Sequence, residues 1–341
     1  MGRITIRTVA EACGVSPSTV SNAYNRPGQL SAALRERILA TAEQLGYPGP
    51  SAAGRSLRSG RAGAIGVLLA DRLSYAFSDP YAIGFLVGVS QACERAGVSV
   101  LLLSAEAPGG EPDLAAVQRA NIDGLVSLSS TLHPGVLEHT RRRGLTVVSS
   151  YAGSGDRHVA IDDVRAGRLV GEHLAGLGHR RVAWVVHVPE GTSAPALDYR
   201  DRLEGLRAAM PGVEVVELRV GHNSFDAGRR VSERLLRAVP RATAAVAGSD
   251  VLALGLLHGL AERGVAVPAE VSVAGFDDVD EAVLAGLTTV AQPIVDKGRR
   301  AAELLLEDPD GRDSLLLDVA LVDRASTGVS PPVHPAPTAT S

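Results

Sequence analysis

Thr5-Ile6-Arg7-Thr8-Val9-Ala10-Glu11-Ala12-Cys13-Gly14-Val15-Ser16-Pro17-Ser18-Thr19-Val20-Ser21-Asn22 decides the fold at one end of the chain. Thr5 opens a helical pattern as its N-cap, and Ile6, Val9, Ala10 and Cys13 recur at helical spacing. Gly14 breaks the pattern with a residue that adopts positive φ at a helix end. Ser16 and Pro17 start a second helix, the serine as N-cap and the proline at the first helical position, where a missing N–H does no harm. Val20, Ala23 and Tyr24 are expected to face inward from it, and Ser18, Asn22 and Asn25 outward. Ser31 caps a third helix with an apolar stripe of Leu34, Ile38, Thr41/Ala42 and Leu45, which ends at Gly46. Two short helices around a tight turn, braced by a third, predict a small all-α helix-turn-helix head.

The head is also basic. Residues 1–62 hold eight arginines against three glutamates, a net +5, while the remaining residues hold 26 basic and 35 acidic groups, a net −9. A small basic head on a large acidic body suits a protein that touches a polyanion at one end only. On charge alone, a solvated basic surface fits equally well.

The quoted run, together with Leu34-Arg35-Glu36-Arg37-Ile38 and Leu45-Gly46-Tyr47, resembles the opening of the lactose repressor (LacI/GalR) family of transcription regulators. Cys13 stands where the family usually has glycine-preceding alanine, a core swap of similar volume. Carried over by position, the resemblance places Pro17, Ser18 and Asn22 on the groove-facing side of a recognition helix that starts at the Ser16 cap, behind a first helix capped by Thr5. Asn22 has the chemistry of a reader, because a carboxamide pairs bidentately with adenine N6 and N7. Pro17 offers only apolar contact. Thr19, Ser21, Asn25 and Tyr47 are implied as phosphate contacts that set register without reading sequence.

Residues 49–62 resemble the family's linker, which forms a short hinge helix on operator DNA with a leucine wedged into the minor groove. Leu57 matches that leucine, and Arg55 and Arg58 flank it. Such a wedge unstacks a base step and bends the duplex. Gly54 stands where alanine is usual and costs about 1 kcal/mol of helix propensity, so the hinge is expected to order only on DNA. Without the resemblance, the stretch reads as a flexible Gly/Ser/Pro linker.

From Ala64 onward, short β-rich runs alternate with amphipathic helices. Ile65–Leu69, Val98–Leu103, Gly124–Leu128 and Thr146–Ser149 form a first set, and Val182–Val186, Val213–Val216, Ala244–Ala247 and Val271–Ala274 a second. Repeated βα units predict an α/β body of two similar lobes, with parallel sheets and a ligand cleft at the carboxyl ends of the strands. The resemblance continues through Asp79-Pro80-Tyr81, Gly178-His179-Arg180-Arg181-Val182, Tyr199 to Gly205, Gly248 to Gly255, Gly275-Phe276-Asp277-Asp278 and Leu287 to Pro293. It implies a two-lobed, periplasmic-binding-protein-like effector domain, with lobe crossovers near Ile161, Gln292 and Asp318. It further implies effector contacts from Arg202, Ser249, Asp277 and Gln292, with Tyr81 supplying an aromatic face from the other lobe. The set suits a polyhydroxylated ligand, since a carboxylate accepts adjacent hydroxyls while guanidinium and carboxamide donate. Taken singly, Asp277 could equally be a helix N-cap and Arg202 a surface ion pair.

At about 150 residues per domain, 341 residues suggest two or three domains. The expected divisions are a DNA-binding head at 1–48, a hinge at 49–62, an effector and dimerisation domain at 63–328, and a disordered tail at 329–341. No stretch approaches the ~20 apolar residues of a membrane span, and the N-terminus lacks a signal-peptide core, so a cytoplasmic chain with no membrane partner is expected. Cys13 and Cys93 read as small buried hydrophobes rather than a disulfide. Walker, dinucleotide and nucleophile-elbow motifs are missing, and the dispersed histidines give no metal-ligand spacing. No catalytic residue, metal or cofactor is therefore expected. The partners expected are palindromic operator DNA, a second copy of the chain, and a small effector, a sugar or nucleoside-like molecule. A protein co-effector, or a ligand-binding transport protein, are the alternatives.

Overall fold

The computed structural model describes residues 4–49, 60–69, 73–104, 114–128, 134–154, 157–188, 194–239, 242–309 and 311–332. The chain forms two compact units, Met1–Gly63 and Ala64–Ser341.

The first unit contains helices α1 (Ile6–Cys13), α2 (Pro17–Asn25) and α3 (Ala32–Gln44). Their starts follow from the predicted caps. The Thr5 hydroxyl accepts from the Thr8 N–H while Thr8 Oγ1 accepts from the Thr5 N–H, a reciprocal box. Ser16 accepts from the Thr19 N–H at 3.1 Å and Ser31 from the Leu34 N–H at 3.3 Å. Gly14 ends α1 at φ 64°, in the left-handed region that a side chain disfavours. Val9, Ala10, Val20, Ala23, Ile38 and Ala42 form the core. Two of the arginines counted as basic surface also tie the helices together. Arg37 Nη2 donates to the Cys13 carbonyl at the end of α1, and Arg35 Nε to the Ala23 carbonyl near the end of α2. Both satisfy carbonyls that a helix C-terminus leaves open.

The second unit holds two six-stranded sheets. The first is ordered β11-β5-β4-β3-β1-β2, built from β1 (Ala64–Leu69), β2 (Ser99–Ser104), β3 (Gly124–Leu128), β4 (Thr146–Ser149), β5 (Arg157–Ile161) and β11 (Leu315–Leu317). The second is ordered β12-β10-β9-β8-β6-β7, from β6 (Arg181–His187), β7 (Glu214–Val220), β8 (Ala244–Ala247), β9 (Ser272–Asp277), β10 (Thr288–Ala291) and β12 (Ala320–Val322). All pairings are parallel except that of β12, which runs antiparallel to β10. The sequence reading did not anticipate β5, β10, β11 or β12.

Helices α4 (Leu73–Ala76), α5 (Pro80–Ala96), α6 (Leu114–Arg119) and α7 (Pro134–Arg142) belong to the first lobe. Helices α8 (Asp163–Gly176), α9 (Leu197–Ala209), α10 (Phe225–Ala238), α11 (Asp250–Ala261) and α12 (Asp280–Leu284) belong to the second, and α13 (Ile294–Glu307) returns to pack on the first. The chain thus crosses between lobes three times, after β5 at Ile161, after β10 at Gln292 and between β11 and β12 at Asp318, where the resemblance implied.

Two helix contacts bring side chains to the cleft, and paired glycines make both possible. A Cβ on Gly167 of α8 would lie 1.8 Å from the Arg202 carbonyl, and one on Gly205 of α9 would lie 1.9 Å from that of Val164. In the first lobe, a Cβ on Gly88 of α5 would fall 1.9 Å from the Val295 carbonyl, and one on Gly298 of α13 would fall 2.1 Å from that of Phe85. Each pair lets two backbones approach more closely than any side chain permits. The histidine of the Gly178-His179-Arg180-Arg181 motif serves the fold. Its Nε2 donates to the Gly328 carbonyl and its Nδ1 bonds Thr243 Oγ1 at 2.8 Å, which pins the segment after β12 to the second lobe.

Candidate functional site

The candidate DNA-reading surface of the head is α2 and its cap. Thr5, Ser16, Pro17 and Ser18 are exposed, and Thr19 and Tyr47 are half-buried. Ser16 Oγ bonds the hydroxyls of both Ser18 and Thr19, at 2.7 and 2.8 Å, so the three hydroxyls form one polar patch at the N-terminus of α2. Asn22 is half-buried rather than fully outside, and its carboxamide makes no hydrogen bond among the described residues. Tyr24 and Tyr47 meet edge to face, with ring centroids 6.2 Å apart, which fixes the end of α3 against α2.

Ser21 departs from the expectation of a phosphate contact. It is 3% exposed, and its hydroxyl and carbonyl both accept from Asn25 Nδ2, at 3.1 and 2.9 Å. The helical phase that turns Val20 and Ala23 into the core turns Ser21 with them. Asn25 remains exposed but uses its amide on Ser21. The hinge expectations at Arg55, Leu57 and Arg58 lie outside the described residues.

In the body, the carboxyl ends of the second-lobe strands bring Ser249, Asp277 and Gln292 into the cleft, α9 brings Arg202, and all four are buried. Arg202 projects from α9. Its Nε donates to Asp163 Oδ1 at 2.8 Å and its Nη1 to the Gly248 carbonyl at 2.8 Å, while the guanidinium lies 4.9 Å from the Phe276 ring centroid. Arg202 is therefore no surface ion pair. Burial works to discharge it, yet Asp163, Asp198 and Asp277 together hold its pKa above the ordinary value.

Asp277 ends β9 with φ at 125°, a backbone that side-chain-bearing residues rarely adopt, and Asp278 follows at φ 60°. It caps no helix, since α12 starts after Val279. Asp250 braces this turn: its Oδ2 accepts from the Val279 N–H at 3.1 Å and its Oδ1 from Thr289 Oγ1 at 2.6 Å. Asp277 Oδ1 accepts from Gln292 Nε2 at 2.7 Å. Gln292 Oε1 is then left buried with no donor among the described residues. Desolvation pushes the Asp277 carboxyl well up from the usual range.

Ser249 caps α11 and donates to Asn223 Oδ1 at 2.5 Å. Asn223 Nδ2 in turn donates to the Tyr75 hydroxyl at 2.6 Å, and that hydroxyl donates to Asp79 Oδ2 at 3.1 Å. The chain Ser249–Asn223–Tyr75–Asp79 spans from one lobe to the other. On the opposite flank, the Tyr151 hydroxyl donates to Asp201 Oδ2 at 2.7 Å, a second bridge between lobes. Tyr81 stands in the first turn of α5, after the Asp79 cap, and its hydroxyl accepts from Lys297 Nζ at 3.0 Å.

Asp163, Asn223, Tyr75 and Lys297 escaped the sequence reading. Asp163 carried one signal, an acid opening a helix directly after the expected crossover at Ile161. Lys297 carried another, as the one lysine among 33 arginines. Among the described residues, no cluster of ligating side chains could hold a metal ion, and no helix is long and apolar enough to cross a membrane.

Comparisons with known proteins agree with this geometry. Residues 5–49 match the model of bacterial regulatory proteins, lacI family, and residues 172–327 match a periplasmic binding protein-like domain. An HTH-type transcriptional regulator of Mycobacterium tuberculosis is 40% identical over 96% of this chain and 97% of its own length. The ribose operon repressor of Escherichia coli K12 is 31% identical over 89% of this chain and 92% of its own. A solved structure of the transcriptional regulator CelR in complex with cellobiose superposes with a TM-score of 0.66 at 26% identity, covering 95% of this chain and all of that one. A helix-turn-helix with an open polar edge, a two-lobed body and full-length likeness to such regulators lead to one conclusion: the chain belongs to the lacI family and is a DNA-binding transcriptional regulator.

Proposed function

We propose that this regulator acts as an effector-switched repressor, a homodimer on a palindromic operator, with a small polyhydroxylated effector held between the lobes of its body. One observation carries the effector reading. Gln292 Oε1 is a buried acceptor without a donor among the described residues, on the side chain that bonds the Asp277 carboxyl. A buried acceptor left unmatched is costly, and a ligand hydroxyl supplies the missing donor. Arg202, Ser249, Asp277 and Gln292 hold the ligand from one lobe, and Tyr81 faces it from the other. The names of the ribose repressor and of the cellobiose complex favour a sugar over a nucleoside.

On the DNA side, Thr5, Ser16, Pro17, Ser18, Thr19, Asn22, Asn25 and Tyr47 serve the head, and Arg55, Leu57 and Arg58 the hinge. The divisions 1–48, 49–62, 63–328 and 329–341 follow these roles. A dimer is supported by apolar side chains left exposed on both lobes, Ile83 and Val87 on α5, Val100 and Leu101 on the edge strand β2, and Phe225 on α10. Such patches on a single protomer mark an interface. Two-fold symmetry doubles a base readout too small for operator specificity in one head.

The switch follows from linkage. An effector changes operator affinity only through its preference for one lobe arrangement, and operator changes effector affinity by the same factor. The two bridges, Tyr75–Asn223 and Tyr151–Asp201, are contacts that one arrangement makes and a more open one lacks. The test is operator titration of the parent and of the Asp277→Asn variant, with and without ribose, cellobiose or a nucleoside. The parent should respond to at least one of them and the variant should not. A response of normal size in Asp277→Asn would move the site elsewhere. Response to a protein partner alone would establish the co-effector alternative.

A further inference from the structure

Lys297 lies on α13 inside the cleft and is 3% exposed. Every other basic side chain in the chain, apart from histidines, is arginine. Its Nζ donates to the Tyr81 hydroxyl at 3.0 Å and sits 5.7 Å from that ring's centroid. Among the described residues, no carboxylate oxygen comes within 4.0 Å of it, and no second acceptor is in reach. An ammonium has three N–H donors. Two remain unused here, on a charge removed from water, an arrangement that proteins otherwise avoid or complete with an ion pair.

The carboxylates nearby do not complete it. Asp163 is bound to Arg202 at 2.8 Å, and Asp277 accepts from Gln292 at 2.7 Å. With Asp198 they act on Lys297 only through space, and all three favour its charged form. Burial brings the lysine down to about 8, with Asp163 opposing the fall and Arg202 adding to it, so the ammonium form dominates at neutral pH. Arg202 contributes a second open donor, because Nε and Nη1 are engaged and Nη2 bonds nothing among the described residues. Two buried cations thus present unused N–H groups beside the unmatched acceptor of Gln292. A neutral sugar would satisfy that acceptor and leave the ammonium without a counter-charge in contact with it.

We propose that Lys297 is a specificity-determining residue of the cleft, and that the effector it selects is a polyhydroxylated molecule bearing an anionic oxygen group, a carboxylate or a phosphate. This rests on the effector-cleft reading above. The hydroxyls meet Gln292 and Asp277, and the anionic oxygens take the open donors of Lys297 and Arg202 in charge-assisted hydrogen bonds. The charge of Asp163 is offset by its ion pair with Arg202, and burial works against the charged form of Asp277.

Calorimetric titration of the full chain with two trios tests this: ribose, ribonate and ribose 5-phosphate, then glucose, gluconate and glucose 6-phosphate. In at least one trio an acidic member should bind about tenfold tighter than its neutral sugar. Which acid wins separates carboxylate from phosphate. Lys297→Met keeps the length of the side chain and removes its charge. It should erase that preference, so that the acid and its neutral sugar bind within about threefold of each other. Lys297→Gln serves if the Met variant does not melt cooperatively. Neutral sugars binding as tightly as both acids in the parent would overturn the inference while the cleft reading stands. So would an acid preference that survives both variants. Failure of all six compounds to bind would overturn both the inference and the cleft reading.

Discussion

Arg202 and Asp163 form a buried ion pair at 2.8 Å, with side chains 6% and 5% exposed. One comes from the middle of α9 and the other from the first turn of α8, and the Gly167–Gly205 contact sets them face to face. The pair gives Arg202 two duties at once, holding the crossover and pointing a guanidinium into the cleft. Breaking one partner therefore does more than remove a ligand contact.

Arg202→Ala is expected to destabilise the body by about 3–5 kcal/mol, because Asp163 is left buried and charged with no partner. Arg202→Met combined with Asp163→Asn should lose much less, since no lone charge remains. Both should lose the effector response, but only the double variant is a clean probe of it. Urea unfolding of the three proteins checks the order. A single variant as stable as the parent would mean that the pair contributes nothing to the fold.

Asp79 supplies a pH test. Burial raises its carboxyl from the ordinary 3.8 to about 6, against hydrogen bonds from the Tyr75 hydroxyl and the N–H groups of Tyr81 and Ala82 that pull it down. A raised carboxyl binds more protons folded than unfolded between those values. Its destabilising effect is absent below about 4, grows as pH rises, and is complete above about 6, where it amounts to about 3 kcal/mol. Asp79→Asn keeps an N-cap oxygen for α5 and turns an amide N–H group toward the Tyr75 hydroxyl in place of the carboxylate oxygen. The variant should match the parent near pH 4 and exceed it at pH 7.5 by up to that amount. Denaturation curves at the two pH values decide it, and parallel pH dependence in both proteins would refute the buried-carboxylate account.

What the sequence made legible, and what it hid, follows from distance along the chain. The caps at Thr5, Ser16 and Ser31 could be read directly because each bonds a backbone N–H three residues ahead. The crossovers and the cleft set Arg202, Asp277 and Gln292 came from motif resemblance. Their partners were invisible, since Arg202 meets Asp163 across 39 positions, Asn223 meets Tyr75 across 148 and Lys297 meets Tyr81 across 216. The same limit explains Ser21. Its residue type suits a phosphate contact, and only the packing of α2 on α1 and α3 shows that its hydroxyl faces inward.

The last prediction separates reading from positioning in the head. Asn22 has an unengaged carboxamide on α2, so Asn22→Ala should cost ~1–3 kcal/mol at one operator base position and relax discrimination there alone. Thr19→Ala removes one hydroxyl of the polar patch at the start of α2 and should weaken binding evenly across sequences, as loss of a phosphate contact does. Ser21→Ala is different. Its hydroxyl receives Asn25 inside the head, so the change should lower the melting temperature of the head and leave the salt dependence of operator binding unaltered. Leu57→Ala, in the hinge, should reduce operator affinity far more than affinity for unrelated duplex, because a minor-groove wedge contributes only where the DNA bends. Titrations against single-base operator variants at two fixed salt concentrations resolve all four. Equal losses on operator and unrelated duplex for Leu57→Ala would remove the wedge. A salt slope that changes with Ser21→Ala would return that serine to the DNA interface.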